Sequence, residues 1–143
     1  MIKSSEHREL KFERTIPALP SAVFDAWLDS KVPGTPFHEH DKLIVDAKVD
    51  GLWYWLYKGN AHYGRYLEIE RPGRIRKSWM SRHTLGEEST VTVTFQKKGD
   101  ATLLTLVHSG LPNDDSVKAH DKGWNILLGN FVTIFGSEAH PKK

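Results

Sequence analysis

The sequence predicts an α+β fold in which a curved antiparallel sheet of six to seven strands grips a long C-terminal helix. Two patterns indicate this class: short segments of strand character recur between turn signals, and one long amphipathic helix follows them. The chain has 143 residues, of which 38% are hydrophobic. This size and composition predict a single domain over 1–143 with its core at about 9–136.

The chain begins with a predicted strand over 9–16 and a predicted helix over about 20–30. The strand ends at Pro17, because proline cannot donate to a sheet ladder, and Pro20 suits the first turn of a helix. One face of this helix collects Val23, Phe24, Trp27 and Leu28. The stretch 31–41 shows no period and is predicted to be a loop or a broken helix.

Six further strands are predicted over 42–49, 51–58, 61–70, 74–82, 89–98 and 101–109. Asp50-Gly51 and Arg71-Pro72-Gly73 are turn signals, and regular short strands joined in this way favour a meander. The strand over 51–58 is apolar on both faces. We therefore expect either helix one or a partner to cover its second face.

The last element is predicted to be a helix of about 22 residues that begins at Asn113 or Asp114 and ends where Gly136 follows Phe135. At 100° per residue, its apolar positions form one buried face centred on Trp124. That face contains Val117, His120, Asp121, Trp124, Leu127, Leu128, Phe131, Val132 and Phe135. Gly123 lies inside this helix, where we expect a close approach of another element to explain it.

The inner faces of the strands and of this helix are predicted to enclose an apolar ligand pocket. The candidate ligand-binding residues are Trp53, Trp55, Lys77, Trp79, His108, His120, Trp124, Leu128 and Phe131. Large rigid rings on a curved sheet pack imperfectly, which favours a cavity, although the same rings could form an ordinary core. His108 and His120 are expected to approach one another, either as an acid and base pair or as buried, hydrogen-bonded histidines.

Several function classes are disfavoured by composition. The 20 Lys and Arg residues nearly balance 18 Asp and Glu and are scattered, which argues against a nucleic-acid partner. The absence of cysteine removes thiolate chemistry, and no nucleotide or serine-hydrolase motif occurs. His38-Glu39-His40-Asp41 is a dense cluster of potential ligands, but it has no evident third partner, so we expect neither a metal nor a cofactor. With no long apolar run, we expect a cytoplasmic protein without a membrane span.

A series of motifs in fixed order resembles the START-like, birch-pollen-allergen-like (SRPBCC) superfamily. Within it, the chain is similar to bacterial homologues of the C-terminal domain of the activator of heat-shock-protein ATPase. The resemblance spans about 13–135 and rests on Arg14-Thr-Ile-Pro-Ala-Leu-Pro20, Gly64-Arg-Tyr-Leu-Glu68, Pro72-Gly73-Arg74-Ile75, His108-Ser-Gly110 and Gly123-Trp124. The family's frequent Trp-Trp pair after helix one is replaced here by Thr35-Pro-Phe-His-Glu-His40.

The resemblance implies a helix-grip fold, but no catalytic residue can be carried over from the family. Together with the residues above, it leaves three possible functions. The first is binding of an apolar or aromatic small molecule between the sheet and the Trp124 helix. The second is a cyclase- or hydrolase-type enzyme that uses His108 or His120, and the third is a co-chaperone-like interaction module. The helix face at Ile126, Gly129 and Thr133 is either an exposed face or a homodimer contact.

Overall fold

The structure, a computed structural model, describes residues 7–28 and 40–139. Within these ranges, seven strands and two α-helices follow one another, with a short 3-10 turn at Arg82–Thr84. The strands are β1 (Arg8–Ile16), β2 (Lys42–Val45), β3 (Leu52–Tyr57), β4 (Asn60–Glu70), β5 (Arg74–Ser81), β6 (Ser89–Lys98) and β7 (Ala101–Leu111). The helices are α1 (Pro20–Leu28) and α2 (Asp114–Ala139).

The strands form one curved antiparallel sheet in the order β1-β7-β6-β5-β4-β3-β2. The strands β2 to β7 are a continuous meander, because each pairs with the next along the chain, and β1 joins the far side of β7. With the long helix α2 following β7, this architecture confirms the predicted α+β fold of helix-grip type. None of the described helices is both long enough and apolar enough to cross a bilayer.

Two strand ends differ from the prediction by more than one residue. β2 ends at Val45 rather than at 49, because the backbone turns between 46 and 51. In this turn Lys48 N donates to Asp46 O (2.8 Å) and Gly51 N donates to Lys48 O (2.8 Å). β7 continues to Leu111, with Gly110 at a positive φ of 83°.

The long helix α2 begins where the sequence predicts but continues past its predicted end. The Asn113 side chain caps it by accepting from Ser116 N (2.9 Å). The predicted stop at Gly136 is wrong, because Gly136 does not take the left-handed conformation that ends many helices and α2 continues to Ala139. Asp121, which the periodicity placed on the buried face, is exposed. Residues 29–39, which include the predicted end of helix one and His38 and Glu39, lie outside the described residues.

The core lies between the concave face of the sheet and the two helices. Phe24 of α1 packs edge-on against Phe95 of β6, with ring centres 5.3 Å apart, and Trp27 stacks on Trp124 at 6.3 Å. α1 therefore packs against β6, β7 and the ring of Trp124 in α2, and it does not lie over the outer face of β3. The expectation that helix one covers that face is wrong, and Leu52 there remains 41% exposed.

Close backbone approach between β4 and β5 requires glycine at position 64. A Cβ built on Gly64 would overlap the carbonyl group and the side chain of Ser78. That carbonyl is fixed in place, since it also accepts a 3.0 Å hydrogen bond from Trp53 Nε1. The indole of Trp53 is thereby held against the concave side of the sheet behind Trp79, with ring centres 4.8 Å apart.

We expect Gly64→Ala to lower the free energy of unfolding by about 1–3 kcal/mol, because the overlapping atoms belong to backbone that cannot give way cheaply. Urea denaturation followed by tryptophan fluorescence measures the loss. Gly73→Ala is the control, because a Cβ there meets only Glu70 O at 3.9 Å. An equal change in the two variants would contradict the packing argument.

Candidate ligand-binding site

A cavity of about 390 Å³ lies between the strands β3 to β5 and the middle of α2. Aromatic and imidazole rings form most of its sheet side, and small or aliphatic residues form most of its helix side. Its wall consists of Trp55, Tyr57, Asn60, His62, Trp79, His83, Ala119, His120, Gly123, Trp124, Ile126, Leu127 and Asn130. None of these described wall residues is Asp, Glu, Lys or Arg.

The predicted site residues divide into two groups around this cavity. Four of them, Trp55, Trp79, His120 and Trp124, form part of the wall. The other five lie in the core outside the wall and are buried: Trp53, Lys77, His108, Leu128 and Phe131. The four tryptophans do converge as predicted, since Trp79 lies 4.8 Å from Trp53, 6.5 Å from Trp55 and 5.2 Å from Trp124 between ring centres. The contribution of any of these residues to binding stays a prediction.

A chain of buried hydrogen bonds holds Trp124 against the sheet. Trp124 Nε1 donates to His108 Nδ1 (3.0 Å), and His108 Nε2 lies 2.8 Å from Ser89 Oγ. Ser89 Oγ itself donates to Trp79 O (2.7 Å). Because that hydroxyl proton is used, His108 Nε2 must carry the hydrogen and donate to Ser89. The chain therefore runs from α2 through β7 and β6 to β5.

This chain determines the state of His108. Its Nδ1 lone pair is occupied by the indole N–H, so a second proton there would break the hydrogen bond to Trp124. Burial, followed by the neighbouring His120 and Lys77, holds the pKa of His108 well below its usual value. His108 is thus a neutral, fully bonded, structural histidine, which is one of the two alternatives that the sequence left open.

His120 approaches His108 as expected, with ring centres 4.7 Å apart, but its hydrogen bonding differs. Its Nδ1 lies 2.8 Å from Ser116 O, and a carbonyl only accepts, so Nδ1 carries the hydrogen. Nε2 has no hydrogen-bond partner in the described structure. Burial lowers the pKa of His120, which leaves the ring neutral with a lone pair on Nε2.

Two further histidines in the wall, His62 and His83, were not among the predicted site residues. His62 pairs with Trp55 across β3 and β4, and its Nδ1 donates to Trp55 O (3.3 Å). Burial lowers the pKa of His62 to about 4, so this ring is also neutral at pH 7. Alternation along β4 was the available signal, because His62 shares a face with Gly64 and the buried Tyr66.

Lys77 is buried beneath the cavity among aromatic rings. Its Nζ lies 4.0 Å from the ring centre of Trp53 and 5.3 Å from that of Trp79, at the distance of cation-π contacts. These contacts do not fully compensate for the loss of hydration. Burial lowers the pKa of Lys77 to about 7.

The helix side of the cavity contains Gly123, for which the predicted close approach is wrong. A Cβ built on Gly123 meets no atom within 4 Å, because the glycine borders the open volume of the cavity. Glycine inside a helix costs about 1 kcal/mol relative to alanine. No packing constraint in the described structure offsets this cost, so the effect of Gly123 is to leave space.

Metal binding has no candidate group within the described ranges. No set of three or more His, Asp or Glu side chains there is arranged to hold an ion. Of the His38-Glu39-His40-Asp41 cluster named from the sequence, His38 and Glu39 lie outside those ranges, and His40 and Asp41 are exposed.

Comparison with known proteins places the chain in a family. Residues 17–136 match the family model described as Activator of Hsp90 ATPase homolog 1-like protein. The chain belongs to this family. As an Activator of Hsp90 ATPase homolog 1-like protein, it has the fold and the relatives that its motifs predicted. No curated protein matches the sequence.

Solved structures similar to this family member share its fold over most of its length. An Hsp90 activator from Plasmodium falciparum, PFC0360w, is 26% identical with a TM-score of 0.76, covering 90% of this chain and 96% of its own. CV1439 from Chromobacterium violaceum is 23% identical with a TM-score of 0.74, covering 89% and 96%. DynU16, a protein in the dynemicin biosynthetic locus, is 19% identical with a TM-score of 0.76, covering 91% of this chain and 48% of DynU16.

Replacing His108 is expected to destabilise this family member. His108→Phe keeps a ring but leaves the N–H of Trp124 unpaired in the core, at a cost of about 1–3 kcal/mol in the free energy of unfolding. Urea denaturation measures this loss in the free energy of unfolding. His83→Phe, at a half-buried wall position, is the matched control with a smaller expected loss, and a loss as large as that of His108→Phe would refute the assignment.

Stability is expected to rise with pH above neutrality because of Lys77. Between pH 7 and its ordinary pKa of 10.5, the amine is protonated in the unfolded chain but neutral in the folded one. The unfolded state then binds more protons, so the free energy of unfolding increases by up to about 1.4 kcal/mol per pH unit. Denaturation at several pH values from 7 to 9.5 tests this. Lys77→Met should remove the slope, and an unchanged slope in that variant would contradict the argument.

Proposed function

We propose that this protein binds a small, neutral, mainly aromatic molecule in the cavity beside Trp124. The observation that carries the proposal is the cavity itself, whose wall combines aromatic rings with a few uncharged polar groups. Its volume of about 390 Å³ falls in the range of about 300–1,000 Å³ that small-molecule sites occupy.

The electrostatics of the wall support a neutral ligand. His62 and His120 are held neutral by burial, and no acidic, lysine or arginine side chain belongs to the described wall. An ionised ligand entering this site would lose hydration without contacting an Asp, Glu, Lys or Arg side chain in the described wall. A neutral aromatic molecule would instead gain from burial, at about 25 cal/mol per Å² of apolar surface removed from water.

The position of Gly123 in the cavity wall also supports ligand binding, because glycine leaves open space there. Any larger residue at this helix position would project into the space beside Trp79 and Trp124. Alanine or leucine would also strengthen the helix, so stability alone favours filling the position. Glycine at this position of the wall leaves space that a bound molecule can occupy.

The two alternative functions from the sequence are less well supported by the site. Of the two histidines proposed for acid and base chemistry, His108 has both ring nitrogens engaged, which leaves only His120 with an available lone pair. A co-chaperone role is suggested by the family description and by the Plasmodium relative, but no described feature favours it over binding in the cavity. The cytoplasmic location and the homodimer stay predictions.

Filling the cavity should abolish binding. We expect the wild-type protein to bind the neutral fluorescent probe N-phenyl-1-naphthylamine, and Gly123→Leu to bind it at least about tenfold more weakly because the leucine occupies the site. Fluorescence titration measures both affinities. Thermal denaturation should show Gly123→Leu to be at least as stable as the wild type, since leucine is the better helix former.

Gly129→Leu is the matched control, because Gly129 lies on the same helix, also has nothing within 4 Å of a built Cβ, and does not belong to the cavity wall. It should gain helix propensity and keep wild-type affinity. The proposal fails if the wild-type protein does not bind, or if Gly123→Leu and Gly129→Leu bind the probe equally well.

A further inference from the structure

Two polar atoms of the cavity wall have no hydrogen-bond partner in the described structure. They are Nε1 of Trp79 and Nε2 of His120, and both are buried. An unpaired buried donor or acceptor costs about 1–3 kcal/mol, so native proteins rarely retain one without a reason. Here both belong to residues that border the same empty volume.

The hydrogen-bonding roles of the two atoms are opposite. An indole nitrogen can only donate, so Trp79 Nε1 requires an acceptor. The Nδ1 of His120 carries the ring hydrogen because it faces Ser116 O at 2.8 Å, so Nε2 requires a donor. A complementary ligand group must therefore accept one hydrogen bond and donate another.

We propose that the ligand is a hydroxylated aromatic molecule whose hydroxyl accepts from Trp79 Nε1 and donates to His120 Nε2. This inference rests on the proposed function, which it deepens by naming the polar group. The rings of Trp55, Trp79 and Trp124 contact the aromatic body, and the hydroxyl fixes its orientation in the cavity. Asn130 and the amide N–H groups of Asn60, whose side-chain oxygen accepts from Arg82 (3.4 Å), can bond other polar groups of the ligand.

The distance between the two rings suits a single small group. Their centres lie 6.4 Å apart with an interplanar angle of 71°, and both rings border the same cavity, so one oxygen between their edges can come within hydrogen-bond reach of both nitrogens once the rings adjust. Both nitrogens are buried, so binding requires the rings to shift toward the hydroxyl. The open volume beside them gives room for that shift.

Other polar groups match the pair less well. A carboxylate and a ketone both accept but cannot donate to His120, and the carboxylate would in addition bring an uncompensated charge into the cavity. An ammonium group donates but cannot accept from Trp79. A hydroxyl satisfies both atoms with one oxygen.

A matched series of naphthalene derivatives tests the inference by isothermal titration calorimetry at pH 7.5. We expect 2-naphthol to bind at least about tenfold more tightly than naphthalene, and also more tightly than 2-methoxynaphthalene, which can accept but not donate. We expect 2-naphthoate to bind most weakly. Equal affinities for 2-naphthol and naphthalene, or preferred binding of 2-naphthoate, would overturn the hydroxyl assignment while leaving aromatic binding intact.

Failure of every compound in the series to bind would instead overturn the proposed function, so the two failures are distinguishable. Within the protein, His120→Phe and Trp79→Phe should each remove most of the preference for 2-naphthol over naphthalene. Gly129→Leu, which changes a residue of the same helix outside the cavity wall, should retain it. The wild-type series decides the question even where a variant fails to fold, and full preference in folded His120→Phe would refute the assignment.

Discussion

The position of α2 on the sheet depends on the hydrogen-bond chain that begins at Trp124. Its indole donates to His108, His108 donates to Ser89, and Ser89 donates to the backbone of Trp79. One buried chain thereby connects the helix to β7, β6 and β5. Hydrogen bonds of this kind are directional, unlike apolar packing, so they select one rotation of the helix about its axis. That rotation decides which residues of α2 face the core and which face the cavity.

Aromatic residues fill the space on one side of this chain and leave it open on the other. Towards the helix C-terminus, Trp27 stacks on Trp124 and meets Phe131 edge-on at 5.4 Å, so α1 closes that half of the concave face. Towards β3 and β4, the space between α2 and the rings of Trp55 and Trp79 is not filled by the described residues. Gly123 and Ala119 are too small to fill the gap, and the space that remains is the cavity. Solid core and cavity are thus two parts of one aromatic layer.

The chemistry of the site follows from the burial of its histidines. A histidine in solution would be partly charged near neutrality, but burial lowers the pKa of His62, His108 and His120, so these rings act as neutral hydrogen-bonding groups. His108 uses both nitrogens to hold the fold together. His120 uses one nitrogen to bond its own helix and keeps the other unpaired beside the cavity. Two neighbouring histidines therefore have different roles, decided by their partners alone.

Periodicity and turn chemistry in the sequence determined the fold class, the start of α2 and, to within a few residues, the positions of the six strands other than β2. These features depend on local spacing. The alternation of residues along the strands also predicted that four tryptophans converge. The end of α2 at Ala139 was not predictable from Gly136, since tertiary context decides whether a glycine ends a helix. The sequence also could not separate Trp53 and Lys77, which lie behind the wall, from Trp55 and Trp79, which form it. That distinction depends on where the curved sheet and α2 leave a gap between them. For the same reason, only the tertiary structure showed that Gly123 borders an opening rather than a close contact.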